Sequence, residues 1–101
     1  MKKPPEVEEA KAVRLDVWLW RARFFKTRSL SSAQVSKRGV RLTRNQQTRK
    51  VTKPGATLMT GDVVTFGRSA HIKTVKVLAL GDRRGPASEA ALLYEAIEGD
   101  A

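Results

Sequence analysis

The chain has 101 residues, 41% of them hydrophobic, a length that supports one domain with one modest core. It contains no cysteine, which excludes a disulfide framework and a thiolate metal site and fits a reducing compartment. Its 20 basic and 10 acidic residues give a net charge of +10, which directs attention to anionic partners.

The positive charge is concentrated in one segment. Between Arg14 and Lys53 there are twelve Lys or Arg residues and one acid, Asp16, so this segment carries +11. Residues 1–13 balance at three charges of each sign, and residues 54–101 carry −1, from five basic and six acidic residues. A merely solubilising surface would spread its charge, whereas a concentrated basic face is typical of a protein that binds a polyanion.

The N-terminal region and the hydropathy favour a cytoplasmic protein. Residues 1–13 are polar and include Pro4-Pro5, which predicts a disordered lead-in. Its basic residues precede no apolar core of the kind that a secretory signal has. No apolar run approaches the roughly 20 residues that a membrane span requires.

The first predicted helix spans residues 16–25. Asp16 is its candidate N-cap, because its carboxylate can accept from backbone N–H groups two or three residues on. Apolar residues then recur at i, i+3, i+4 and i+7, which places them on one helical face. This face consists of Leu15, Trp18, Leu19 and Ala22.

The second predicted helix spans residues 28–38. Thr27 is its candidate N-cap, and Gly39 ends it, as glycine often does just past a helix C-terminus. Almost no connector remains between the two helices, so we expect a compact corner similar to a helix-turn-helix. Its inward side is predicted to carry Leu30, Ser31, Gln34 and Val35.

Strands are predicted after Gly39, where the period of the pattern changes from 3.6 to 2. We expect strands at residues 40–43, 48–51, 63–66 and 72–80, with turns at 44–47, 54–55 and 61–62. Residues 87–97 form either a short helix or a docked extended segment. The result is an α+β fold with a small, mostly antiparallel sheet. Its predicted core contains Leu15, Leu19, Val35, Val40, Leu42, Val64 and Val77.

The start of the second helix is a candidate phosphate site. A helix N-terminus exposes unpaired N–H groups and the positive end of the helix dipole. Lys26, Thr27, Arg28 and Ser29 add charge, hydroxyl groups and a guanidinium fork suited to phosphate oxygens. A helix of about eleven residues places its two ends roughly 16 Å apart. One face can therefore bridge two stretches of a folded RNA backbone.

These considerations give a set of candidate RNA-binding residues and no catalytic or metal-binding ones. His71, the only histidine, has no second ligand nearby, and no paired carboxylates suggest acid–base chemistry, so we predict neither an enzyme nor a cofactor. The candidate RNA-binding residues are Arg14, Lys26, Thr27, Arg28, Ser29, Lys37, Arg38, Arg41, Arg44, Arg49, Lys50 and Lys53.

Two features of the sequence allow more than one interpretation. Trp20 and Phe24 can stack a nucleic-acid base or hold the C-terminal segment that contains Tyr94, and the second is favoured. Residues 83–86, Arg-Arg-Gly-Pro, can form a second phosphate contact or a turn that repositions the tail, and neither is favoured.

Several short motifs resemble a known RNA-binding domain. Arg-Leu-Asp at 14–16, Lys-Thr-Arg-Ser at 26–29, Gly39 before Val-Arg-Leu at 40–42, Lys-Pro at 53–54 and Gly-Asp-Val-Val at 61–64 are similar to the domain named after ribosomal protein S-four. Residues 18–28, 83–90 and 93–95 resemble the ribosome-associated heat-shock protein fifteen family more specifically. The resemblance covers roughly residues 13–96.

This resemblance implies an S-four-like (alpha-L motif) fold, with two short helices packed on the sheet. Residues 14–80 would form the RNA-binding domain, and residues 81–101 a C-terminal segment that packs on it or extends it. The implied function is non-catalytic binding of structured ribosomal RNA on the large ribosomal subunit, in a heat-shock and stalled-ribosome context. The implied partners are that subunit and a nascent chain still attached to transfer RNA. We expect a monomer with no membrane partner.

Two other functions stay open. The same domain type is found attached to pseudouridine synthases, so the chain can be an accessory part of an RNA-modifying enzyme. A DNA-binding helix-turn-helix protein is the weaker alternative, because Ser32 and Ser36 offer little bidentate capacity for reading bases.

Overall fold

The computed structural model describes residues 12–68 and 70–97. Residues 1–11 of the predicted lead-in lie outside these ranges. The elements are β1 (Val13–Arg14), α1 (Leu15–Arg21), α2 (Arg28–Arg38), β2 (Val40–Arg44), β3 (Gln47–Val51), β4 (Thr57–Leu58), β5 (Val63–Arg68), β6 (His71–Val77), α3 (Ala87–Ala90), a 3-10 turn (Ala91–Leu93) and β7 (Tyr94–Ala96). The predicted α+β class is confirmed. No helix in the described ranges has the length and apolarity needed to cross a bilayer.

The main sheet is antiparallel and has five strands in the order β3-β2-β5-β6-β7, while β1 and β4 form a separate two-stranded ribbon. Val13, which was predicted to belong to the lead-in, pairs with Leu58 and packs on the core. Residues 78–80 leave the sheet, although a strand was predicted to continue through them. The cause is that the N–H groups of Leu78 and Ala79 donate to the carbonyl of Leu93, at 2.8 and 3.2 Å.

The hairpin between β2 and β3 is tighter than predicted. Arg44 and Gln47 pair with each other, so only Asn45 and Gln46 form the turn. Both have positive φ angles, 54° and 67°, as a two-residue type I′ turn requires. The predicted turn over residues 44–47 is therefore shortened from both sides.

The core lies between one face of the sheet and the two longer helices. Alternation along the strands places Leu42, Val64 and Val75 in one row on that face, and all three are buried. All seven predicted core residues are buried, and Trp18 is also fully buried, as expected of a core residue. The opposite face of the sheet is not covered by α1 or α2 and carries Arg41, among others.

Helix α1 ends at Arg21, four residues earlier than predicted. Arg23 adopts a left-handed conformation (φ 66°), which stops the helix and turns Phe24 into the core. The Phe24 ring centroid lies 5.0 Å from that of Phe66 and 4.7 Å from that of Tyr94. The prediction that Asp16 is the N-cap is also wrong. The cap position belongs to Arg14, because the chain enters α1 directly from the extended backbone of β1.

Helix α2 has the predicted bounds. The Thr27 hydroxyl accepts from the N–H of Leu30 at 3.0 Å, and Gly39 ends the helix with φ 83°. The Ser31 hydroxyl donates to the carbonyl of Asp16 at 2.8 Å and joins α2 to α1. The buried stripe is centred on Ser31 and Val35. Leu30 lies about 100° round the helix from Ser31 and is 53% exposed, so its predicted inward position is wrong.

The C-terminal segment combines the two predicted alternatives, since α3 and a 3-10 turn lead into the short edge strand β7. Arginine side chains fasten it to α1. Arg21 donates to the carbonyl of Gly81 at 2.8 Å, and Arg23 donates to that of Gly85 at 2.7 Å. In the other direction, Arg84 donates to the carbonyls of Trp20 and Phe25 at 3.0 and 3.4 Å. Residues 84 and 85 therefore hold the tail against α1 and the loop that follows it.

Core packing leads to a first prediction. Leu19 is fully buried in α1, so Leu19→Ala should lower the free energy of unfolding by about 2–5 kcal/mol through lost burial and a residual cavity. Chemical denaturation measures this loss. Leu30→Ala, at an exposed position of α2, is the matched control and should stay within about 0.5 kcal/mol of the unaltered protein. Similar losses for the two variants would mean that the buried face is misassigned.

The fastening of the tail leads to a second prediction. Arg84→Ala removes a half-buried guanidinium and leaves two carbonyls without this donor, so we expect a loss of about 1–3 kcal/mol in the free energy of unfolding. Lys76→Ala removes an exposed cation from β6 and should have little effect. Equal stability of the two variants in urea titrations would contradict a fastening role for Arg84.

Candidate nucleic-acid interface

The start of α2 presents an open helix terminus. Lys26, Thr27, Arg28 and Ser29, the candidate phosphate-binding residues, are all exposed there. The Thr27 hydroxyl occupies the N–H of Leu30. Helix geometry leaves the preceding N–H groups of Arg28 and Ser29 without an intrahelical acceptor, so they are available to an external anion.

Trp20 lies beside this terminus and contacts two guanidinium groups. The Cζ atom of Arg28 is 5.9 Å from the centroid of the Trp20 ring, and that of Arg84 is 5.7 Å away. These distances are within the range of a cation–π contact. The contact of Trp20 with the C-terminal segment agrees with the favoured prediction, whereas its link to Arg28 at the start of α2 was not predicted. The pair of arginines at 83–84 was the available signal, but it lies more than 50 residues from Arg28 along the chain.

A second group of cations lies at the other end of α2, roughly 16 Å from the first along an eleven-residue helix. Lys37 and Arg38 are in the last turn and are exposed. Arg41 of β2 pairs directly with Lys50 of β3 on the uncovered face of the sheet. Arg38, Arg41 and Lys50, all candidates from the sequence, line one small groove.

Two of the predicted contact residues have acidic partners within the protein. The guanidinium of Arg14 donates to the Asp16 carboxylate through two bonds of 3.0 Å. Arg44 donates to Asp62, which is buried, at 2.8 and 2.7 Å, and Asp62 also accepts from the N–H of Met59. Arg44 thus joins the β2–β3 hairpin to the loop before β5, and its fork is occupied.

These ion pairs keep both arginines charged. The hydrogen bond to Asp62 raises the pKa of Arg44 above its ordinary value, and the hydrogen bond to Asp16 raises that of Arg14. A raised pKa stabilises the fold at every pH below the ordinary value and is lost only as the pH rises through the folded-state pKa. Neither pair therefore provides a pH-dependent switch near neutrality.

The remaining candidates lie apart from the Arg41–Lys50 pair. Arg49 is exposed and pairs with Leu42, so it projects to the opposite side of the hairpin from Lys50. Lys53 is exposed in the loop after β3. The guanidinium of Arg14 lies against Gly55 in the turn that follows Lys53. It is about 3.5 Å from the point that a Cβ atom would occupy if this residue were not glycine.

Comparison with known proteins identifies relatives over most of the chain, although no family model matches it. Heat shock protein 15 of Escherichia coli K12 is 42% identical over 95 residues, which are 94% of this chain and 65% of that protein. The homologues from Haemophilus influenzae and Aeromonas salmonicida are 41% and 38% identical, over 87% and 94% of this chain and 63% and 68% of their own lengths. The chain thus spans slightly less than two thirds of the first two relatives.

A solved structure supports the same assignment. It is the heat shock protein 15 of Vibrio cholerae, described as trimeric, with 36% sequence identity and a TM-score of 0.74. The match covers 87% of this chain and 84% of that one. The chain belongs to the heat shock protein 15 family.

Proposed function

We propose that this protein is a non-catalytic RNA-binding protein that recognises structured ribosomal RNA on the large ribosomal subunit, in a heat-shock and stalled-ribosome context. The observation that carries the proposal is the pair of cationic groups at the two ends of α2. The proposal includes membership in the S-four type of RNA-binding domain, a cytoplasmic location, and a nascent chain on transfer RNA as a further partner. The names of the relatives support the heat-shock context.

The start of α2 suits a phosphate group. The N–H groups of Arg28 and Ser29, the helix dipole and the Arg28 fork all favour an anion at one place. Lys26 adds a second cation, and Ser29 adds a hydroxyl. No acidic side chain occurs within α2.

The spacing of the two cationic groups favours a folded polyanion. Two anchor points roughly 16 Å apart can contact two separate stretches of a backbone, which recognises shape more than base sequence. The outer surface of α2 carries Ser32 and Ser36, which cannot pair with a base in two places as Arg, Asn or Gln can. This surface is therefore better suited to structured RNA than to reading the major groove of DNA.

The binding unit is contained in one chain. Both cationic groups and the helix between them belong to the same protomer, so we propose that a monomer is competent to bind. Equilibrium sedimentation alone and with RNA would test this, since the Vibrio cholerae relative is described as trimeric.

The proposal predicts a strong dependence of binding on salt. If about four to six phosphates are neutralised, the slope of log K against log salt should be about −3 to −5 on ribosomal RNA. Fluorescence anisotropy with an rRNA fragment measures the slope, and duplex DNA of equal length is the control. Cosedimentation with separated ribosomal subunits identifies the subunit. A slope near zero, or equal affinity for the DNA, would contradict the proposal.

Arg28 should be the most sensitive single contact. Arg28→Ala is expected to weaken RNA binding by about 1.5–3 kcal/mol, because charged hydrogen bonds to a phosphate are lost at the helix terminus. Arg28→Lys should recover only part of this, since Lys supplies a point charge without a fork. Anisotropy titrations at fixed salt give these values.

Lys76→Ala is the matched control for Arg28→Ala. Lys76 is exposed, lies outside the 14–53 segment and pairs in register with Glu95. Arg68, another cation outside the 14–53 segment, is unsuitable as a control for RNA binding. Its guanidinium donates to the carbonyl of Phe24 at 2.7 Å and supports the loop before α2. If Arg28→Ala and Lys76→Ala lose equal affinity while both remain folded, Arg28 is one of many interchangeable charges.

A further inference from the structure

A small groove opens where the C-terminal end of α2 meets the uncovered face of the sheet. Its volume is about 230 Å³, and it is lined by Gln34, Arg38, Arg41, Lys50, Gly67 and Ile72, among others. Sites for drug-sized ligands measure roughly 300–1,000 Å³. The groove is thus suited to a group smaller than a drug-sized ligand.

Gln34 provides a polar group at the inner side of this groove. The residue is 9% exposed, and its side-chain amide makes no hydrogen bond with any residue in the two described ranges. An amide carries both a donor and an acceptor, so the groove offers an external ligand two complementary positions side by side.

Three cations line the same groove as the amide, and two glycines allow Lys50 and Arg38 to lie close to the backbone. The stem of Lys50 crosses Gly39, where a Cβ atom would come within 2.6 Å of the Lys50 Cε atom. The guanidinium of Arg38 lies against Gly67, about 3.5 Å from the point that a Cβ atom would occupy if this residue were not glycine. Arg41 faces Lys50 on the neighbouring strand. The groove therefore combines a concentrated positive charge with a pairing group.

An apolar side chain completes the groove. Ile72 pairs in register with Gly67 and is 63% exposed, so it offers an apolar contact surface beside the cations. A flat ring that pairs with the Gln34 amide could rest against it. A free phosphate ion would use the three cations but neither Gln34 nor Ile72.

We infer that this groove binds one unpaired nucleotide of the RNA ligand. The Gln34 amide pairs with the edge of the base, Ile72 contacts the ring, and Arg38, Arg41 and Lys50 hold the adjoining phosphate. Specific RNA recognition generally uses unpaired bases whose edges are accessible. The inference rests on the proposed function and adds to it a contact that distinguishes an unpaired nucleotide from a paired one.

Titration of the whole chain with small probes tests the groove directly. The probes are adenosine and uridine 5′-monophosphate, with ribose 5-phosphate and inorganic phosphate as controls that lack a base. The ¹H–¹⁵N signals of the Gln34 side-chain amide, assigned by their absence in Gln34→Leu, are followed by NMR. We expect a nucleotide to shift these signals and the base-free probes not to do so. Equal shifts with ribose 5-phosphate, or no shift with either nucleotide, would overturn the inference.

Variants tested with RNA separate this inference from the proposed function. An rRNA fragment with an unpaired nucleotide should bind Gln34→Leu and Ile72→Ala about 5- to 20-fold more weakly than the unaltered protein. A fully paired fragment should bind all three proteins alike. Ile72→Ala changes an exposed residue, so it tests the groove even if Gln34→Leu lowers the melting temperature.

The outcomes are distinguishable. If the unaltered protein does not bind rRNA, the proposed function is wrong. If it binds and Arg28→Ala weakens binding, while Gln34→Leu and Ile72→Ala bind both fragments as the unaltered protein does, only the groove inference is wrong.

Discussion

Hydrogen bonds from arginine side chains to main-chain carbonyls hold the loop that leads into α2. The loop between α1 and α2 contains no regular structure, and two of its carbonyls, those of Phe24 and Phe25, accept from Arg68 and Arg84. Arg23, within this loop, donates a hydrogen bond to the carbonyl of Gly85 in the C-terminal segment. Guanidinium groups are suited to this task because each offers several donors in a fixed plane. The exposed terminus of α2 depends on a loop that distant parts of the chain hold in place.

Because some arginines bind groups within the protein, the net charge overstates the number of cations available to a partner. Of the twelve cations between Arg14 and Lys53, four have internal partners, namely Arg14, Arg21, Arg23 and Arg44. Twelve minus four leaves eight without a hydrogen bond or ion pair to another described residue. Most of these eight lie at the two ends of α2 and on the β2–β3 hairpin. The surface available to an anionic partner is thus smaller and more localised than the sequence total of +10 indicates.

Helix α2 acts as a spacer between two different chemical environments. At its start, free N–H groups and Arg28 suit a phosphate oxygen. At its end, Gly39 and Gly67 allow Lys50 and Arg38 to lie against the backbone around the Gln34 amide. Because the helix is rigid, the distance between these environments is set by its eleven residues, and a flexible single strand has no such fixed spacing to match.

The amino-acid sequence by itself determined the features that depend on neighbouring residues. Thr27 and Gly39 specify the bounds of α2 through a local cap and a local positive φ angle, and the alternation after Gly39 correctly predicted that Val40 and Leu42 are buried. The tertiary structure alone decided the end of α1, where Phe24 turns away to meet Tyr94, 70 positions later in the numbering. It also decided that Arg44 pairs with Asp62 and that Gln34 faces a groove. Caps and periodicity act within a few residues, whereas these contacts depend on segments that only folding brings together.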